Sequence, residues 1–327
     1  MKFRLLSEAD VRAVLATGDL LEPMARALEA FSGGRVVQPL RPVVPVEAGP
    51  GFFAVMPAYS GGDHALGAKL VTVFGGNTRT GLPTHLALVT LLDERTGQLR
   101  AVMDGRYITE IRTAAVSAVA SRHLARPDAR TLAILGSGVQ ARSHLLAFAE
   151  VHPLAAARVW SPTAVHRDRF VAEMQPRLAC PLAACGEAER CVRDADLIVA
   201  ATSSRTPVVM SAWVNDGAHV TAVGAARPDE REMDPALIAR ARLFVDSRES
   251  AEREAGDVLL GKREHAFSDD VVCGEIGDVL AGRVEGRRSP ADVTIFKSLG
   301  LAIEDLVAAQ LAFTRAQARN VGRLLDL

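Results

Sequence analysis

Short apolar runs alternate with segments of helical periodicity over the second half of the chain. The runs are predicted strands and lie at 131–135, 157–160, 197–201, 219–223 and 243–245. Uninterrupted apolar runs are typical of strands buried on both faces of a parallel sheet, and helices are expected between them, one of them over 185–191. The pattern predicts an α/β fold in which residues 126–299 form a Rossmann-type parallel-sheet domain.

The first part of the chain has a different pattern, in which Gly and Pro interrupt the apolar stretches. Strands are predicted at 36–46, 51–59, 66–74, 84–93 and 98–104, the last two as a hairpin. Two short helices are predicted over 7–30, and an Ala- and Val-rich helix over 107–124 precedes a polar linker at 126–130. We therefore expect a separate α/β domain over residues 1–125.

The C-terminal part is expected to contain helix and loop over 256–277 and an exposed turn over 286–292. A long terminal helix is predicted from Thr294 to about residue 325. Such a helix has no place in a nucleotide-binding sheet. We therefore expect it to pack on the first domain, which residues 300–327 complete.

A glycine-rich turn follows the first strand of the predicted parallel sheet. Gly136 allows a tight turn, Gly138 allows backbone to approach a pyrophosphate, and Ala141 lets the next helix lie close to the strand. The start of that helix, at Val139 and Gln140, offers free N–H groups and a partial positive charge. With a strand before it and a helix after it, this turn predicts a dinucleotide site and not merely a structural turn.

Ligands of parallel sheets bind beyond the carboxyl ends of the strands. The residues at these ends, expected to face the cofactor, are Ser161, Thr202, Ser203, Gly224 and Ala225. Sites specific for NAD usually have an acid after the second strand, where this chain has Ser161, followed by Thr163, His166 and Arg167. These groups favour a 2′-phosphate, unless His166 and Arg167 merely form a solvated helix face. We expect NADPH as cofactor, with NADH possible.

Composition narrows the possible partners. The chain has 327 residues and a net charge of −1, which favours neither nucleic acid nor an anionic membrane as partner. It contains no apolar run of transmembrane length, and acids interrupt its first ten residues where a signal peptide has an apolar core. The cysteines, at 180, 185, 191 and 273, lack the spacing of metal ligands. We expect a cytoplasmic protein with reduced thiols and no metal.

Three basic residues of the first domain lie in apolar surroundings, namely Arg41, Lys69 and Arg112. Buried cations need anionic partners, and a structural salt bridge would explain any one of them alone. No carboxylate partner for Arg112 is evident in the first domain. The three together suggest a pocket for a small carboxylate. His85 is a further polar candidate, although a lone His in a strand is more often structural.

Several motifs, in colinear order over about residues 1–310, resemble those of one family. They are M-P-A-Y-S at 56–60, A-K-L-V-T at 68–72, A-V-M-D-G at 101–105, R-T-A-A-V-S-A at 112–118, L-G-S-G-V-Q-A at 135–141, A-V-G-A-x-R-P-D-x-R-E at 222–232, G-D-V-L-L at 256–260 and T-I-F-K-S-L-G at 294–300. The chain thus resembles the ornithine cyclodeaminase/mu-crystallin family. The resemblance implies a homodimer whose α/β substrate-binding and dimerisation domain is completed by the C-terminal helix, plus a Rossmann domain.

The family includes several activities. Cyclodeaminases of the family carry an Asp where this chain has Ala226, which argues against ornithine cyclodeaminase. The G-A-x-R-P-D form is similar to that of mu-crystallin-like ketimine reductases, which reduce Δ1-pyrroline-2-carboxylate and Δ1-piperideine-2-carboxylate to proline and pipecolate. An alanine-type amino-acid dehydrogenase and a non-enzymatic small-ligand-binding protein remain alternatives.

A ketimine substrate suggests roles for particular residues. The nicotinamide is expected near Val223, Gly224, Ala225 and Lys297. The substrate carboxylate is expected at Arg41, Lys69 and Arg112, and either Lys69 or His85 would supply the proton.

Overall fold

The computed structural model describes residues 2–49 and 51–327. Met1 and Pro50, which fall in the predicted first domain, lie outside the described residues. The chain divides into two compact units. Unit 1 comprises Met1–Arg112 and Gly300–Leu327, and unit 2 comprises Thr113–Leu299. The predicted domain limits of 1–125 and 126–299 stay a prediction, because compactness does not show which segments fold independently.

The strands of the described residues are β1 (Lys2–Leu6), β2 (Val36–Val37), β3 (Val43–Val46), β4 (Gly51–Ser60), β5 (Ala65–Phe74), β6 (His85–Leu92), β7 (Leu99–Asp104), β8 (Thr131–Leu135), β9 (Ala156–Trp160), β10 (Leu182–Ala184), β11 (Leu197–Ala200), β12 (His219–Ala222), β13 (Arg242–Val245), β14 (Val272–Glu275), β15 (Thr294–Lys297) and β16 (Arg323–Asp326).

The α-helices are α1 (Glu8–Val14), α2 (Leu21–Ser32), α3 (Arg106–Leu124), α4 (Val139–Val151), α5 (Ala164–Met174), α6 (Ala188–Val192), α7 (Pro235–Arg240), α8 (Arg248–Glu254), α9 (Gly256–Arg263), α10 (Ile276–Leu280) and α11 (Ala302–Arg319). Short 3₁₀ turns occur at Gly18–Leu20, Gly75–Arg79, Gln175–Arg177 and Ser211–Trp213. No helix of the described ranges is long and apolar enough to cross a lipid bilayer.

Unit 1 is built on a sheet of order β16-β1-β7-β6-β5-β4-β2, with β3 also paired to β4. Its strand pairs are antiparallel except β1 with β7. The strands alternate in burial: along β5, Lys69 and Val71 are buried whereas Leu70 is not. Helix α11 packs on β4, β5 and β6. Gly67 permits the close approach, because a Cβ there would lie 1.9 Å from the Thr90 oxygen and 3.3 Å from Leu306.

The C-terminal segment corrects one prediction. Residues 294–297 do not begin the terminal helix but form β15, a fully buried strand inside the sheet of unit 2. Gly300 then adopts a φ of +82°, which favours glycine, and α11 begins at Ala302. The helix ends at Arg319, and β16 follows and pairs with β1, two strands that the periodicity missed. The prediction that this helix packs on the first domain is confirmed.

Unit 2 is a parallel sheet of order β10-β9-β8-β11-β12-β15-β13-β14. In the central strands β8 and β11, successive residues belong to apolar clusters on opposite faces of the sheet; in β8, Ala133 belongs to one cluster and Leu132 to the other. This confirms the Rossmann-type fold. Two short strands, β10 and β14, were missed. The helix predicted over 185–191 is observed as α6, which begins at Ala188 and leaves Cys185 outside it. Strand β14 lies in a segment that was predicted as helix and loop.

Candidate active site

A buried charge cluster forms in unit 1 from three elements. Lys69 projects from β5, Arg112 from α3, and Glu304 and Asp305 from the first turn of α11. Lys69 Nζ lies 2.5 Å from Asp305 Oδ2. Arg112 donates from Nη1 to Glu304 Oε2 at 2.5 Å and from Nε to Asp305 Oδ1 at 2.9 Å. All four side chains are at most 5% exposed, so these charges interact with little screening by water.

The local sequence explains why these groups meet. The period-two alternation of β5 turns Lys69 toward the face that α11 covers. Carboxylates are stabilised in the first turn of a helix, where Glu304 and Asp305 lie. A Cβ on Gly300 would lie 2.7 Å from the guanidinium nitrogens of Arg112, so any other residue there would displace that group.

The carboxylate partners correct an inference from the sequence. No partner for Arg112 was evident in the first domain, yet the structure provides Glu304 and Asp305 from the C-terminal helix, 192 and 193 residues away in sequence. The sequence contained a signal for these partners, because acids occur within the apolar segment 301–309. A charged residue in apolar surroundings is also what singled out Lys69. The ion pairs mean that Arg112 has a structural role in addition to any role in binding.

The other two predicted residues of unit 1 also lie near this cluster. Arg41 is half-buried and donates from Nη2 to the Gly300 oxygen at 3.4 Å, and its charge acts on Lys69. His85 is half-buried on the same face of the sheet as Lys69. Burial, and then the nearby charge of Lys69, lowers the pKa of His85 to about 4. His85 is therefore neutral at neutral pH and is a poor proton donor.

Lys69 has the pKa of a proton donor. Burial lowers its pKa to about 8; Asp305 opposes this effect, whereas Arg112 and Arg41 add to it. Burial tends to raise the pKa of Asp305, but the charges of Arg112 and Lys69 outweigh burial and hold it below its usual value. Lys69, Arg112 and Arg41 therefore place positive charge around Asp305, and groups of this kind can bind a small carboxylate.

The glycine turn of unit 2 has the geometry expected of a phosphate site. Gly136 has a φ of +114°, and a Cβ there would lie 2.3 Å from the Ala201 oxygen. A Cβ on Gly138 would meet no atom within 4 Å, which leaves room for a phosphate at the start of α4. Val139 is exposed and Gln140 half-buried there, while Ala141 is fully buried against the sheet. The residues present fit a dinucleotide.

The loop after β9 has no acid in its first residues. Ser161 is buried, and its hydroxyl lies 3.0 Å from that of Ser137. Arg167 donates to the Ser161 carbonyl oxygen at 2.5 Å. Thr163 and His166 are exposed at the start of α5. A cation, and no carboxylate, therefore lies beside this strand end.

A buried carboxylate that sequence analysis did not select joins two further strand ends. Glu232 Oε1 accepts hydrogen bonds from the N–H and hydroxyl of Thr202, at 2.6 and 2.8 Å. Its Oε2 accepts from the N–H groups of Gly224 and Ala225, at 2.7 and 3.2 Å. A Cβ on Gly224 would lie 2.0 Å from the Thr202 oxygen, so the two loops touch closely. Glu232 is the last residue of the R-P-D-x-R-E motif, and this position in the motif was the signal by which the sequence could have selected it.

The remaining predicted residues of unit 2 differ in exposure. Ser203 is exposed and Val223 half-buried at the same strand ends. Lys297, expected near the nicotinamide, is fully buried at the end of β15, with Nζ 3.1 Å from Asp257 Oδ2. Its amine is held in the core of unit 2, and its contact with a cofactor stays a prediction. Within the described residues, no group of three His, Cys, Asp or Glu side chains could hold a metal ion.

The parallel sheet, its glycine turn and the carboxylate-accepting cluster define the class of protein: a Rossmann-type, NAD(P)-dependent oxidoreductase. The chain belongs to the ornithine cyclodeaminase/mu-crystallin family, whose model matches residues 1–320. This confirms the resemblance seen in the motifs.

Known relatives cover almost the whole chain. Ketimine reductase mu-crystallin of Mus musculus is 43% identical over 312 residues, covering 94% of this chain and 96% of that protein. The structure of Thermococcus litoralis Δ1-pyrroline-2-carboxylate reductase with NADH and L-proline has a TM-score of 0.96 and 35% identity, over 98% of this chain and 99% of that one. An archaeal alanine dehydrogenase dimer with bound NAD has a TM-score of 0.95 and 30% identity, over 100% of both chains.

Proposed function

We propose that this protein reduces cyclic ketimines, Δ1-pyrroline-2-carboxylate and Δ1-piperideine-2-carboxylate, to L-proline and L-pipecolate with NAD(P)H. The observation that carries the proposal is the charge cluster of unit 1, which brings Lys69 and Arg112, both buried, together with Arg41 beside the start of α11. Both substrates carry one carboxylate next to the C=N carbon. The relatives that act on ketimines, and the one solved with NADH and L-proline, support this substrate class.

In the proposed mechanism, Arg112 and Arg41 hold the substrate carboxylate and so fix the orientation of the imine. Lys69 donates a proton from Nζ to the imine nitrogen, because its pKa of about 8 leaves it charged yet acidic enough at neutral pH. NAD(P)H supplies the hydride when bound. The hydride forms the new C–H bond at C2, and the π electrons of the protonated C=N bond become the nitrogen lone pair. Orientation supplies much of the rate.

We propose that the cofactor binds to unit 2 along the strand ends. The glycine turn at Gly136 and Gly138 and the start of α4, at Val139 and Gln140, would bind the pyrophosphate. The further cofactor-binding residues would be Ser161, Thr163, His166, Thr202, Ser203, Val223, Gly224 and Lys297.

NADPH is the proposed preference. A carboxylate after β9 would repel a 2′-phosphate, but this chain has hydroxyl and cationic groups there, which favour a 2′-phosphate. These residues are Ser161, Thr163, His166 and Arg167. The relative from Thermococcus litoralis was solved with NADH, so the preference has to be measured for this chain.

We further propose that the protein is a homodimer that pairs through the uncovered face of the unit 1 sheet. On this face, Val55 lies beside Leu70, and Leu70 beside Leu88. Leu86 and Leu88 are 40% and 38% exposed, respectively. A continuous apolar sheet face of this kind is typical of an interface. The alanine dehydrogenase relative is a dimer.

We place the protein in the cytoplasm. The four cysteines, Cys180, Cys185, Cys191 and Cys273, form no disulfide, which suits a reducing compartment.

The test of function is a turnover assay on the purified protein with each cofactor. Oxidation of NADPH with either cyclic ketimine alone, yielding the cyclic amino acid, is the expected result. An absolute requirement for ammonia together with a keto acid would indicate an amino-acid dehydrogenase instead. Ligand binding without turnover of any imine would contradict an enzymatic role. Lys262→Met, which removes an amine 3.9 Å from the exposed Asp269 in unit 2, is the control variant and should behave as wild type.

A further inference from the structure

Two of the four cysteines meet on one face of the parallel sheet of unit 2. Cys185 directly follows the edge strand β10, and its N–H donates to the Val159 oxygen at 2.8 Å, so it continues the pairing of β10 with β9. In that pairing Ala183 lies opposite Arg158. Cys185, two residues after Ala183, therefore points to the face on which Arg158 lies. Cys191 belongs to α6, which packs against β8 and β9.

Arg158 places α6 on that same face. Its Nη1 and Nη2 donate to the oxygens of Arg190, in α6, and Arg193, just after it, at 3.2 and 2.6 Å. Its Nε is buried and has no hydrogen-bond partner within the described part of the chain. A buried N–H group of this kind needs an acceptor. The charge of Arg158 acts on Cys185, as do the charges of Arg190 and Arg167, so a thiolate on Cys185 suits these surroundings.

The two thiols have different environments. Cys185 is half-buried and packs against the apolar cluster that contains Cys191, whereas Cys191 is fully buried, with Sγ 3.7 Å from the Ile134 oxygen. A hydrogen bond from the Cys191 thiol lowers the pKa of Cys185 to about 6; burial opposes this effect, and the three guanidinium charges add to it. The same interaction, and burial, raise the pKa of Cys191. At neutral pH Cys185 is therefore a thiolate that a small oxidant can reach, and Cys191 is a thiol beside it.

We propose that Cys185 and Cys191 form a peroxide-sensitive pair, in which Cys185 is the site of oxidation and Cys191 resolves the product to a disulfide. The Cys185 thiolate attacks one oxygen of hydrogen peroxide, so that an S–O bond forms, the O–O bond breaks and hydroxide leaves. The sulfur of Cys191 then attacks the sulfur of Cys185. The S–S bond forms, the S–O bond breaks, and the departing hydroxide takes the Cys191 proton to give water. Two sulfurs are oxidised, and one peroxide is reduced to one hydroxide and one water.

The other two cysteines provide references for this reactivity. Cys180 is buried in the segment before β10. Cys273 is half-buried, as Cys185 is, but it lies in β14, at the opposite edge of the sheet from β10. Cys273 is therefore a thiol of similar exposure that is remote from Cys185 and Cys191.

The test of the disulfide uses the purified wild-type protein, first reduced and then exposed to hydrogen peroxide at neutral pH. The remaining thiols are alkylated, and the protein is digested with trypsin without a reductant. Trypsin cleaves after Arg190, between the two cysteines, so their disulfide joins the peptides 178–190 and 191–193 in mass spectrometry. We expect this joined pair of peptides, and we expect dithiothreitol to separate it. Cys180→Ser should leave the pair unchanged, which shows that Cys185 is the partner in peptide 178–190.

The order of the two steps is tested in Cys191→Ser. Without a resolving thiol the reaction should stop at the sulfenic acid of Cys185, which dimedone traps as an adduct on peptide 178–190. Independently, iodoacetamide should alkylate Cys185 of the reduced wild-type protein about tenfold faster than Cys273, because the thiolate is the nucleophile.

Two results would overturn the inference. One is a wild-type protein that forms no joined pair with peroxide, or forms it in Cys180→Ser no longer. The other is equal alkylation of Cys185 and Cys273. Both wild-type measurements remain decisive if Cys191→Ser does not fold. They involve neither cofactor nor imine, so their failure is separate from a failure of ketimine turnover.

Discussion

Replacing Lys69 by methionine tests the centre of the proposed mechanism. Methionine has a similar length and no charge, so the change removes both the proposed proton donor and one positive charge of the cluster. Asp305 keeps its hydrogen bond from Arg112 Nε at 2.9 Å, and we therefore expect the variant to fold. Loss of a general acid typically costs about 10²–10⁴ in rate. We expect kcat for ketimine reduction to fall within that range and KM to rise, because the substrate carboxylate meets less positive charge.

The pH dependence separates Lys69 from His85. Reduction that needs protonated Lys69 should be fully active below its pKa of about 8 and lose activity as pH rises through that value. A requirement for protonated His85 would place this fall near its pKa of about 4. The measurement is kcat/KM across a pH series that spans both values, for wild type and for Lys69→Met, because kcat/KM reports the pKa values of the free enzyme.

Two results would refute this reasoning. One is a fall in wild-type kcat/KM near the lower value only. The other is a Lys69→Met enzyme that keeps both the wild-type kcat/KM and its decline above about pH 8. Lys262→Met should give the wild-type profile, since Lys262 lies outside unit 1.

Four further outcomes are expected. Arg112→Ala should lower kcat/KM about a hundredfold or more and also destabilise the protein by about 3–5 kcal/mol, because Glu304 and Asp305 lose a buried partner. Arg112→Lys should recover part of both losses. If the Ala variant melts at a lower temperature but keeps wild-type kinetics, Arg112 has a structural role alone. Wild type should bind NADPH more tightly than NADH, and Ser161→Asp should reverse the preference; a wild-type preference for NADH of about tenfold would contradict the interpretation of this loop. Ornithine should release no ammonia at a rate comparable with ketimine reduction, because Ala226 cannot activate water or an amine. Leu88→Lys should shift the protein from dimer to monomer in light scattering, whereas Leu324→Lys, at another exposed leucine, should leave a dimer.

Local sequence patterns were sufficient to predict those structural features whose physical cause is itself local. The apolar strands and the Gly136 turn follow from sequence periodicity and from the small size of glycine, and both were predicted in the right order. The motifs were sufficient to identify the family, because a colinear set of short sequence matches can be recognised without knowledge of tertiary contacts. Residues 294–297 were the main failure. Their apolar run fits a buried strand or the start of a helix equally well, and pairing with β12 and β13 decides for the strand.

The sequence by itself selected the candidate groups for the chemistry: charged groups in apolar surroundings, such as Lys69 and Arg112, and the glycine turn that begins α4. Only the tertiary structure decided their partners. Asp305 meets Lys69 because α11 packs against β5, and Glu232 meets Thr202 and Gly224 because neighbouring parallel strands end at one edge of the sheet. Such contacts join residues that are distant in the chain, and burial then sets their electrostatics. The pKa of Lys69 depends on the loss of water and on charges from two helices and a loop, none of which is encoded within its own strand.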